Sequence, residues 1–340
     1  MSEVRKIIAV EEHFMSPTVN RKYNEIFRRT ETDPARLAKA GFIERFVAVG
    51  EITEVGEERL QFMDEHGIDV QILSYGNNSP MYLEAEDAVP LCRQVNEELA
   101  EYCKAYPGRF YGFASLPAAD PEAAVQELEY SVRELGLCGV MFNGNYQGHF
   151  FDESRFYPVF EKAAELQVPV MFHPGEVASQ ISEYYYQGEW PLSVTNIFAG
   201  HGIGWHYDAG MQYLRMILSG IFDKLPTLVM ICGHWGETLP YYFNRLDDTL
   251  TPEVTGLQHR ISDYFRNNMY LTPSGMFYED DFRFCLEKVG ADRIIWSTDY
   301  PYQKPENSKA FLSRMQLSAE ERENIAFRNA EKLFRIGEQL

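Results

Sequence analysis

The chain has 340 residues, 45% of them hydrophobic and 14% aromatic, which is enough to bury a large core and excludes general disorder. Its 51 acidic and 31 basic residues give a net charge of −20, which repels phosphate backbones, so we expect no nucleic-acid and no membrane partner. Five scattered cysteines and a short apolar start predict a protein that stays in the cytoplasm with reduced thiols.

Strand-like and helix-like segments alternate along the chain. Short apolar runs predict eight strands, most of them buried on both faces: Ile7–Val10, Val70–Ser74, Phe110–Leu116, Cys138–Asn143, Pro169–His173, Thr227–Cys232, Met269–Thr272 and Arg293–Ser297. Amphipathic stretches between them predict helices at Glu57–Glu65, Ala88–Ala105, Pro121–Leu135, Phe156–Leu166, Tyr213–Phe222, Tyr241–Leu250 and Asp280–Val289.

This order predicts an α/β fold, a closed (β/α)8 TIM-type barrel in one domain over residues 1–340. A doubly wound open sheet is the alternative, but no G-x-G-x-x-G follows the first strand. Two segments, Met15–Gly56 and Glu176–Tyr207, are longer than ordinary barrel loops and directly follow strands. We predict that they are insertions at the C-terminal face, serving as lids or as oligomer contacts.

Polar side chains stand at the ends of several predicted strands. The first ends in Glu11, Glu12 and His13, and because strand side chains alternate, Glu11 and His13 face one way and Glu12 the other. The fifth strand ends at His173, and Asp299 follows the eighth. Since these ends meet at one rim of a barrel, we predict that Glu11, His13, His173 and Asp299 bind a metal ion.

Each of these residues alone has a plainer interpretation: a turn, a core histidine bonded to a carbonyl, or a helix-capping aspartate. Their coincidence at strand ends favours the metal site. Histidine and carboxylate donors suit Mn²⁺ or Zn²⁺, with Mg²⁺ a further option. The fourth strand contains no lysine that could bridge two metals as a carbamate, so we expect one divalent ion.

His234 ends the sixth strand, and Glu237 follows three residues later. We predict that His234 is either a fifth ligand or an acid–base group, and that Glu237 orients it. The alternative is a buried histidine bonded to the backbone. Phe14 and Tyr302, near strand ends, would suit a flat ring in the site, although aromatics there also serve in lid packing.

Motifs in the same order along nearly the whole chain identify a resemblance: AVEEHF, MDEHGID, ASLPAADP, VMFHP, SGIFDKLPTLVMICGHWGE, YLTPSGMF and GADRIIWSTDYPY. The chain resembles the amidohydrolase superfamily in its decarboxylase branch, related to aminocarboxymuconate-semialdehyde decarboxylase. It is most similar there to γ-resorcylate and 2,3-dihydroxybenzoate decarboxylases, which carry Glu-x-His where most of the superfamily carries His-x-His.

The resemblance implies that Glu11, His13, His173 and Asp299 hold the metal, that His234 and Glu237 assist, and that Asp299 also delivers a proton. Arg245 matches a family arginine that reaches a neighbouring subunit's site. Its alternative is a surface arginine paired with Asp247 or Asp248.

The segment GHGIGWHYDAG has no counterpart that aligns with the family. Its His201 and His206, like His149, are expected to face solvent from loops, with substrate contact as the alternative. His66 and His259 fall on helical stretches and are expected to be structural.

Together these features predict a metal-dependent carboxy-lyase that decarboxylates an ortho-hydroxy aromatic acid of the hydroxybenzoate type without oxidation. The acid would be held through its carboxylate and phenol oxygens, and Asp299 would protonate the ring carbon. The enzymatic alternative is a metal-dependent hydrolase of a lactone or amide that uses metal-bound hydroxide. A binding barrel without turnover is the non-enzymatic one. We expect the chain to form a homo-oligomer, either a dimer or a tetramer. The only other binding partner that we expect is the small aromatic acid substrate.

Overall fold

The computed structural model describes residues 4–32, 36–37 and 49–337 of the chain. Its sheet has eight parallel strands in the order β7-β6-β5-β4-β3-β2-β1-β8. The strands are β1 Ile8–Phe14, β2 Val70–Tyr75, β3 Phe110–Ala114, β4 Gly139–Asn143, β5 Val170–His173, β6 Met230–Cys232, β7 Met269–Leu271 and β8 Trp296–Ser297. Consecutive strands are therefore neighbours, and all run in the same direction.

The ring closes between β7 and β8. Leu271 of β7 forms a parallel bridge with Ile294, just before β8, and the amide of Ile295 donates to the carbonyl of Leu271 at 3.0 Å. The fold is the predicted (β/α)8 barrel, and the open-sheet alternative is wrong. All eight predicted strands are present, with ends that coincide with the prediction or differ by at most four residues.

The longer helices cover the outside of the barrel. They are α1 Pro17–Thr30, α2 Glu57–Glu65, α3 Ala85–Ala105, α4 Pro121–Arg133, α5 Tyr157–Leu166, α6 Gly204–Leu218, α7 Leu239–Thr249, α8 Ile261–Asn268 and α9 Glu279–Val289. Shorter α-helical pieces lie at Val49–Thr53, Ser179–Ile181, Leu192–Ile197, Ile221–Lys224, Pro252–Thr255, Ser308–Arg314, Ala319–Glu323 and Asn329–Phe334. Single 3₁₀ turns lie at Pro80–Tyr82, Ser154–Phe156 and Ala291–Arg293, and π turns at Ser182–Tyr186, Phe198–Gly202 and Asn324–Arg328.

One helix differs clearly from its sequence prediction. The segment predicted as Tyr213–Phe222 is α6, which begins nine residues earlier, at Gly204, and ends at Leu218. Gly200, Gly202 and Gly204 precede or begin it, and glycines weaken the helical signal of a sequence. The earlier start matters because it places the first turn of α6 beside the barrel rim.

The interior of the barrel is filled by a separate apolar cluster. Its residues on the strands, or directly before β8, are Ile8, Val10, Val70, Ile72, Phe113, Met141, Met171, Ile231, Tyr270 and Ile295. A larger cluster packs the outer faces of the strands against the helices. This interior cluster fills the N-terminal and middle parts of the strands. The polar residues at the strand ends therefore lie at the C-terminal rim, where barrels place their sites.

The two long insertions differ in how far they are described. The segment predicted as Met15–Gly56 contains helix α1, and its residues 33–35 and 38–48 lie outside the described residues. The segment Glu176–Tyr207 forms short helical turns with many exposed apolar side chains. Across the described ranges, no helix combines the length and the apolar character needed to span a bilayer.

Candidate active site

The end of β1 carries a bulge that shapes the site. Ala9 pairs with Gln71 and Glu12 pairs with Leu73, so β1 holds one extra residue there. Glu11 takes up the irregularity with a φ of 62°, a left-handed conformation that is rare for a side chain of this size. Bulges of this kind re-aim side chains beside active sites, and here Glu11 and His13 both face the rim while Glu12 points away.

The Glu11 carboxylate is held from one side only. Its Oε2 accepts from the hydroxyl of Thr272 at 3.1 Å and from that of Ser274, both just after β7. Its Oε1 is buried without a hydrogen-bond partner among the described residues, 3.9 Å from Nε2 of His173 and from Nδ1 of His234. Burial raises the pKa of Glu11 to about 8, against the attraction of His234.

His13 and Asp299 face each other across the same point. Nε2 of His13 lies 3.1 Å from Oδ1 of Asp299, and neither atom has a hydrogen-bond partner within the described part of the chain. The other ring nitrogen of His13 lies 3.3 Å from the Ser74 hydroxyl. Burial lowers the pKa of His13 to about 3, so the ring is neutral and its Nε2 can offer an electron pair to a metal. Burial raises the pKa of Asp299 to about 7.

His173, at the end of β5, is fixed in one tautomer. Its Nδ1–H donates to the carbonyl of Pro174 at 2.8 Å, which leaves the lone pair of Nε2 free to bind a metal. Burial, followed by His13 and His234, keeps the pKa of His173 well below its ordinary value. The ring centre lies 4.7 Å from that of His13.

These donors fit a divalent metal ion. His13, His173 and Asp299 each offer one ligand atom, and the three atoms lie within 4.8 Å of one another. The unpartnered Oε1 of Glu11 lies beside this group. Buried polar atoms normally have hydrogen-bond partners, so three buried atoms without one at a single point indicate a cation-binding site. Nitrogen and carboxylate ligands without sulfur suit Mn²⁺ or Zn²⁺.

His234 and Glu237 lie in a strained turn after β6. His234, Trp235, Gly236, Glu237 and Thr238 all have positive φ values, between 47° and 84°. Such a run is costly for residues other than glycine and is typical of functional sites. The Nδ1–H of His234 donates to Oε1 of Glu237 at 2.7 Å. Burial lowers the pKa of His234, but the carboxylates of Glu237 and Glu11 outweigh it and raise this pKa to about 10.

His206 is a neighbour of this pair that the sequence analysis placed in a solvent-facing loop. It lies in the first turn of α6, and its Nδ1 donates to Oε2 of Glu237 at 2.8 Å. Trp205 donates from Nε1 to Nε2 of His206 at 3.0 Å. The expectation of a solvent-facing His206 is wrong, because α6 begins early enough to bring it against Glu237.

A buried polar network behind β1 was also missed. Glu12, fully buried, accepts from the amide and hydroxyl of Thr298 at 2.7 and 2.5 Å and from Gln71 at 3.0 Å. Arg59, fully buried on α2, donates to Gln71 at 3.3 Å and to the carbonyl of His13 at 2.6 Å. The network thus holds the backbone of His13 and of the residue before Asp299.

The three predicted substrate-contact residues are placed differently from one another. Tyr302 lies against the site, with its ring centre 5.0 Å from that of His13. Phe14 alternates with His13 on β1 and packs fully buried against Tyr75, on the side away from the predicted ligands. Arg245 is exposed on α7, and it forms no ion pair with a carboxylate of any residue that the structure describes.

The remaining histidines lie apart from the predicted ligands. His149 is exposed and paired with Glu153 at 2.8 Å, and His66 is stacked on Phe62 beside the end of α2. His259 lies on the surface near Tyr264. His201 is exposed near Trp205. None of these four histidines contacts His13, His173 or Asp299 in the part of the chain that the structure describes.

A (β/α)8 barrel with histidine and carboxylate donors at its C-terminal rim is the architecture of the metal-dependent amidohydrolases. The family model described as amidohydrolase matches residues 46–336, and the chain belongs to this family.

Several named relatives are decarboxylases, and one of those that match is a 2-keto-4-carboxy-3-hexenedioate hydratase of Sphingobium sp.. The chain is 34% identical over 299 residues to a γ-resorcylate decarboxylase of Polaromonas sp. strain JS666, covering 84% of this chain and 89% of the relative. A crystal structure of a Polaromonas dihydroxybenzoic acid decarboxylase with manganese and the inhibitor 2-nitroresorcinol is 30% identical, with a TM-score of 0.84 over 99% of this chain and 98% of that one. The 5-carboxyvanillate decarboxylase of Novosphingobium aromaticivorans, complexed with manganese and 4-hydroxy-3-methoxy-5-nitrobenzoic acid, is 30% identical, with a TM-score of 0.88 over 97% and 96%.

Proposed function

We propose that this protein is a metal-dependent carboxy-lyase that removes carbon dioxide from an ortho-hydroxy aromatic carboxylic acid. The observation that carries the proposal is the convergence of Glu11 Oε1, His13 Nε2 and Asp299 Oδ1, all buried and without hydrogen-bond partners among the described residues. The decarboxylase relatives and their manganese-containing structures support the same reaction class.

In this proposal Glu11, His13, His173 and Asp299 hold the metal ion. A divalent cation held there would supply Lewis acidity towards the carboxylate and the adjacent phenol oxygen of the substrate. The protein's share is to keep His13 and His173 as neutral donors, which their lowered pKa values ensure at neutral pH. It also fixes Glu11 through Thr272 and Ser274.

The reaction needs a proton at the ring carbon. When the bond to the carboxylate breaks, carbon dioxide leaves and its electron pair stays on that carbon, which must then accept a proton. We assign the delivery of this proton to Asp299. Burial raises the pKa of its carboxyl group to about 7 in the metal-free site, but a bound cation would oppose this rise. A ligating Asp299 would therefore take up the proton from a neighbouring donor before passing it to the ring carbon. His234, oriented by Glu237, hydrogen-bonds the phenol oxygen or relays the proton.

Binding an anionic acid to a protein of charge −20 requires local positive charge. Within one chain this positive charge comes from the metal ion and from the His234 ring, whose raised pKa keeps it protonated at neutral pH. Tyr302, against the His13 ring, is placed to contact the flat substrate ring. We leave Phe14 out of the substrate contacts, because its side chain is packed in the core behind β1.

The alternative reaction is hydrolysis of a lactone or amide, with Asp299 as the base that activates water. The two reactions leave different labels in the product. In D₂O a decarboxylase leaves deuterium on the ring carbon, whereas in H₂¹⁸O a hydrolase places ¹⁸O in a new carboxylate.

The test is a screen of hydroxybenzoates, and beside them of aromatic lactones and amides, with the manganese-loaded protein in D₂O and in H₂¹⁸O, measuring carbon dioxide and the positions of deuterium and ¹⁸O in the product. We expect release from at least one ortho-hydroxy acid and deuterium at the carbon that bore the carboxylate. Oxygen incorporation without carbon dioxide would reject decarboxylation in favour of hydrolysis. Binding of the acids with neither product would reject both in favour of a binding barrel.

We further propose that the chain works as a homo-oligomer. Large apolar side chains are exposed on the second insertion and on α7, with Tyr184 at 82% and Tyr241 at 76% exposed. Groups of large exposed apolar side chains are typical of association sites. Arg245 lies on α7 with Tyr241 and carries no ion pair to a described residue, so it is available to a neighbouring subunit's site.

Sedimentation equilibrium tests the oligomer, and mixing tests Arg245. Arg245→Ala protein mixed with inactive Asp299→Asn protein should recover part of the activity, since a mixed pair contains one site with both residues. A monomer in sedimentation, or no recovery in a confirmed mixed oligomer, would reject the shared site.

A further inference from the structure

A hydrogen-bond chain connects the insertion after β5 to His234. Trp205 donates to Nε2 of His206 at 3.0 Å, His206 donates from Nδ1 to Oε2 of Glu237 at 2.8 Å, and Oε1 of Glu237 accepts from Nδ1 of His234 at 2.7 Å. We propose that His206 is a positioning residue that acts through Glu237 to hold His234 at the site. The inference rests on the decarboxylation proposed above and adds to it a residue outside the metal site.

Glu237 is fully buried, and each of its two carboxylate oxygens accepts a hydrogen bond from a different histidine. A buried carboxylate with one unsatisfied oxygen is costly, so a side chain held only by His234 would be free to turn towards another donor. Two donors at opposite ends of the carboxylate fix its plane, and that plane sets the orientation of the His234 ring.

The tautomer of His206 follows from its neighbours. The indole of Trp205 can only donate, so Nε2 of His206 is the acceptor and Nδ1 carries the proton that Glu237 receives. The ring of His206 is thereby locked at both nitrogens, with its centre 4.4 Å from that of His234. Trp205 also approaches His173, at 6.5 Å between ring centres, which ties this part of the insertion to the rim.

A second metal site is the competing interpretation of the same three residues. His206, His234 and Glu237 offer ligand atoms within 4.8 Å of one another. However, both oxygens of Glu237 already accept from N–H groups, and Nε2 of His206 accepts from Trp205. A metal there would have to replace these hydrogen bonds, and none of the partnerless buried atoms belongs to this group in the described part of the chain.

The test uses two variants of His206 and one matched control. His206→Leu removes the donor to Glu237, and His206→Asn keeps an N–H near the position of Nδ1. His259→Leu makes the same change at a surface histidine far from the site. Each protein is loaded with manganese, its metal content is measured, and kcat and KM are determined on an accepted hydroxybenzoate.

We expect one metal per chain in all four proteins, because His206 is not a ligand. His206→Leu should lower kcat about 10- to 100-fold, the usual effect of losing a supporting hydrogen bond, with little change in KM. His206→Asn should recover most of that loss, and His259→Leu should match the unchanged protein. An unchanged kcat in His206→Leu, or an equal loss in the Asn variant, would overturn the positioning role. Two metals per chain that fall to one in His206→Leu would replace it with a metal site.

A measurement without turnover separates this inference from the proposed reaction. In ¹⁵N-histidine-labelled protein, the Nδ1–H protons of His206 and His234 should both resonate at low field because each is bonded to a carboxylate. His206→Leu should remove one signal and shift the other, and His206→Asn should leave the second near its original position. If no acid releases carbon dioxide while this pattern holds, the reaction fails but the coupling stands. If His206→Leu leaves the His234 signal unmoved, the inference fails whatever the reaction.

Discussion

Nε2 of His13 and Oδ1 of Asp299 lie 3.1 Å apart at the barrel rim, and each is buried without a hydrogen-bond partner in the described ranges. The two residues come from the first strand and from the turn after the last, so closure of the barrel is what brings them together. An orphan nitrogen and an orphan carboxylate oxygen at this separation are suited to share one cation. The predictions below follow from this pair and from the groups that support it.

Replacing Asp299 with Asn should separate the two roles assigned to this residue. The amide keeps an oxygen that can still contribute to metal binding, but it cannot donate the carboxyl proton. We therefore expect kcat to fall by about 10²- to 10⁴-fold, the range for loss of a general acid, while part of the metal is retained. Steady-state kinetics with metal analysis on the same sample measures both. Asp280→Asn, at an exposed position, is the control, and full activity of Asp299→Asn would remove Asp299 from the mechanism.

Metal binding should release protons near neutral pH. In the metal-free site, burial raises the pKa of Glu11 to about 8 and that of Asp299 to about 7, so both carboxyls are partly or fully protonated at about pH 6.5. Both must lose their protons to become ligands, so affinity should rise with pH up to about 8 and then level off. His13, whose pKa is lowered to about 3, stays neutral throughout and adds no pH dependence.

Calorimetry of Mn²⁺ binding in two buffers of different ionisation enthalpy measures this proton release. The release should be larger at about pH 6 than at about pH 8.5. Equal affinity and no proton release at both values would contradict the assignment of Glu11 and Asp299 as ligands.

A methyl group at Gly233 should damage metal binding. A Cβ at this position would lie 2.8 Å from Oε1 of Glu11, closer than real Cβ contacts allow, and 3.0 Å from the Ser274 hydroxyl, which is tighter than most. Gly233→Ala should therefore displace the Glu11 carboxylate and weaken Mn²⁺ binding by about 10- to 100-fold. Gly50→Ala, where a Cβ meets nothing within 4 Å, is the matched control. Equal metal affinity in both variants would show that Glu11 is not needed for binding.

Loss of the buried Arg59 should lower stability as well as activity. Arg59→Met keeps much of the volume but leaves the carbonyl of His13 and the amide oxygen of Gln71 without this donor. We expect the free energy of unfolding to fall by about 3 kcal/mol, measured by urea denaturation of the metal-free protein. Arg133→Met, which removes an exposed arginine paired with Glu129, should change it by no more than about 0.5 kcal/mol. Similar losses in the two variants would contradict a supporting role for Arg59.

The barrel could be predicted because its strands are short apolar runs, whose burial on both faces leaves a clear pattern in the chain. The rim donors followed from their positions at strand ends. The bulge at Glu11 could not be foreseen, because nothing in Glu-Glu-His marks the residue with a φ of 62°.

His206 was missed for a different reason. Its partner Glu237 lies 31 residues away on another element. The glycines around the start of α6 weaken the helical pattern in the sequence, so the first turn of the helix that brings the two residues together was not predicted. The Arg59 network likewise joins α2, β1, β2 and the turn after β8, contacts that exist only in the closed barrel. Phe14 was proposed for its type and position, although the alternation that pairs Glu11 with His13 already sets it on the other side of β1.

The most direct test is to strip the purified protein of metal with a chelator and to measure metal content and carbon dioxide release before and after adding Mn²⁺ back. We predict about one divalent ion per chain before stripping, no turnover without it, and recovery on its return. Unchanged conversion of a hydroxybenzoate by protein shown to contain no divalent metal would contradict the account at its centre.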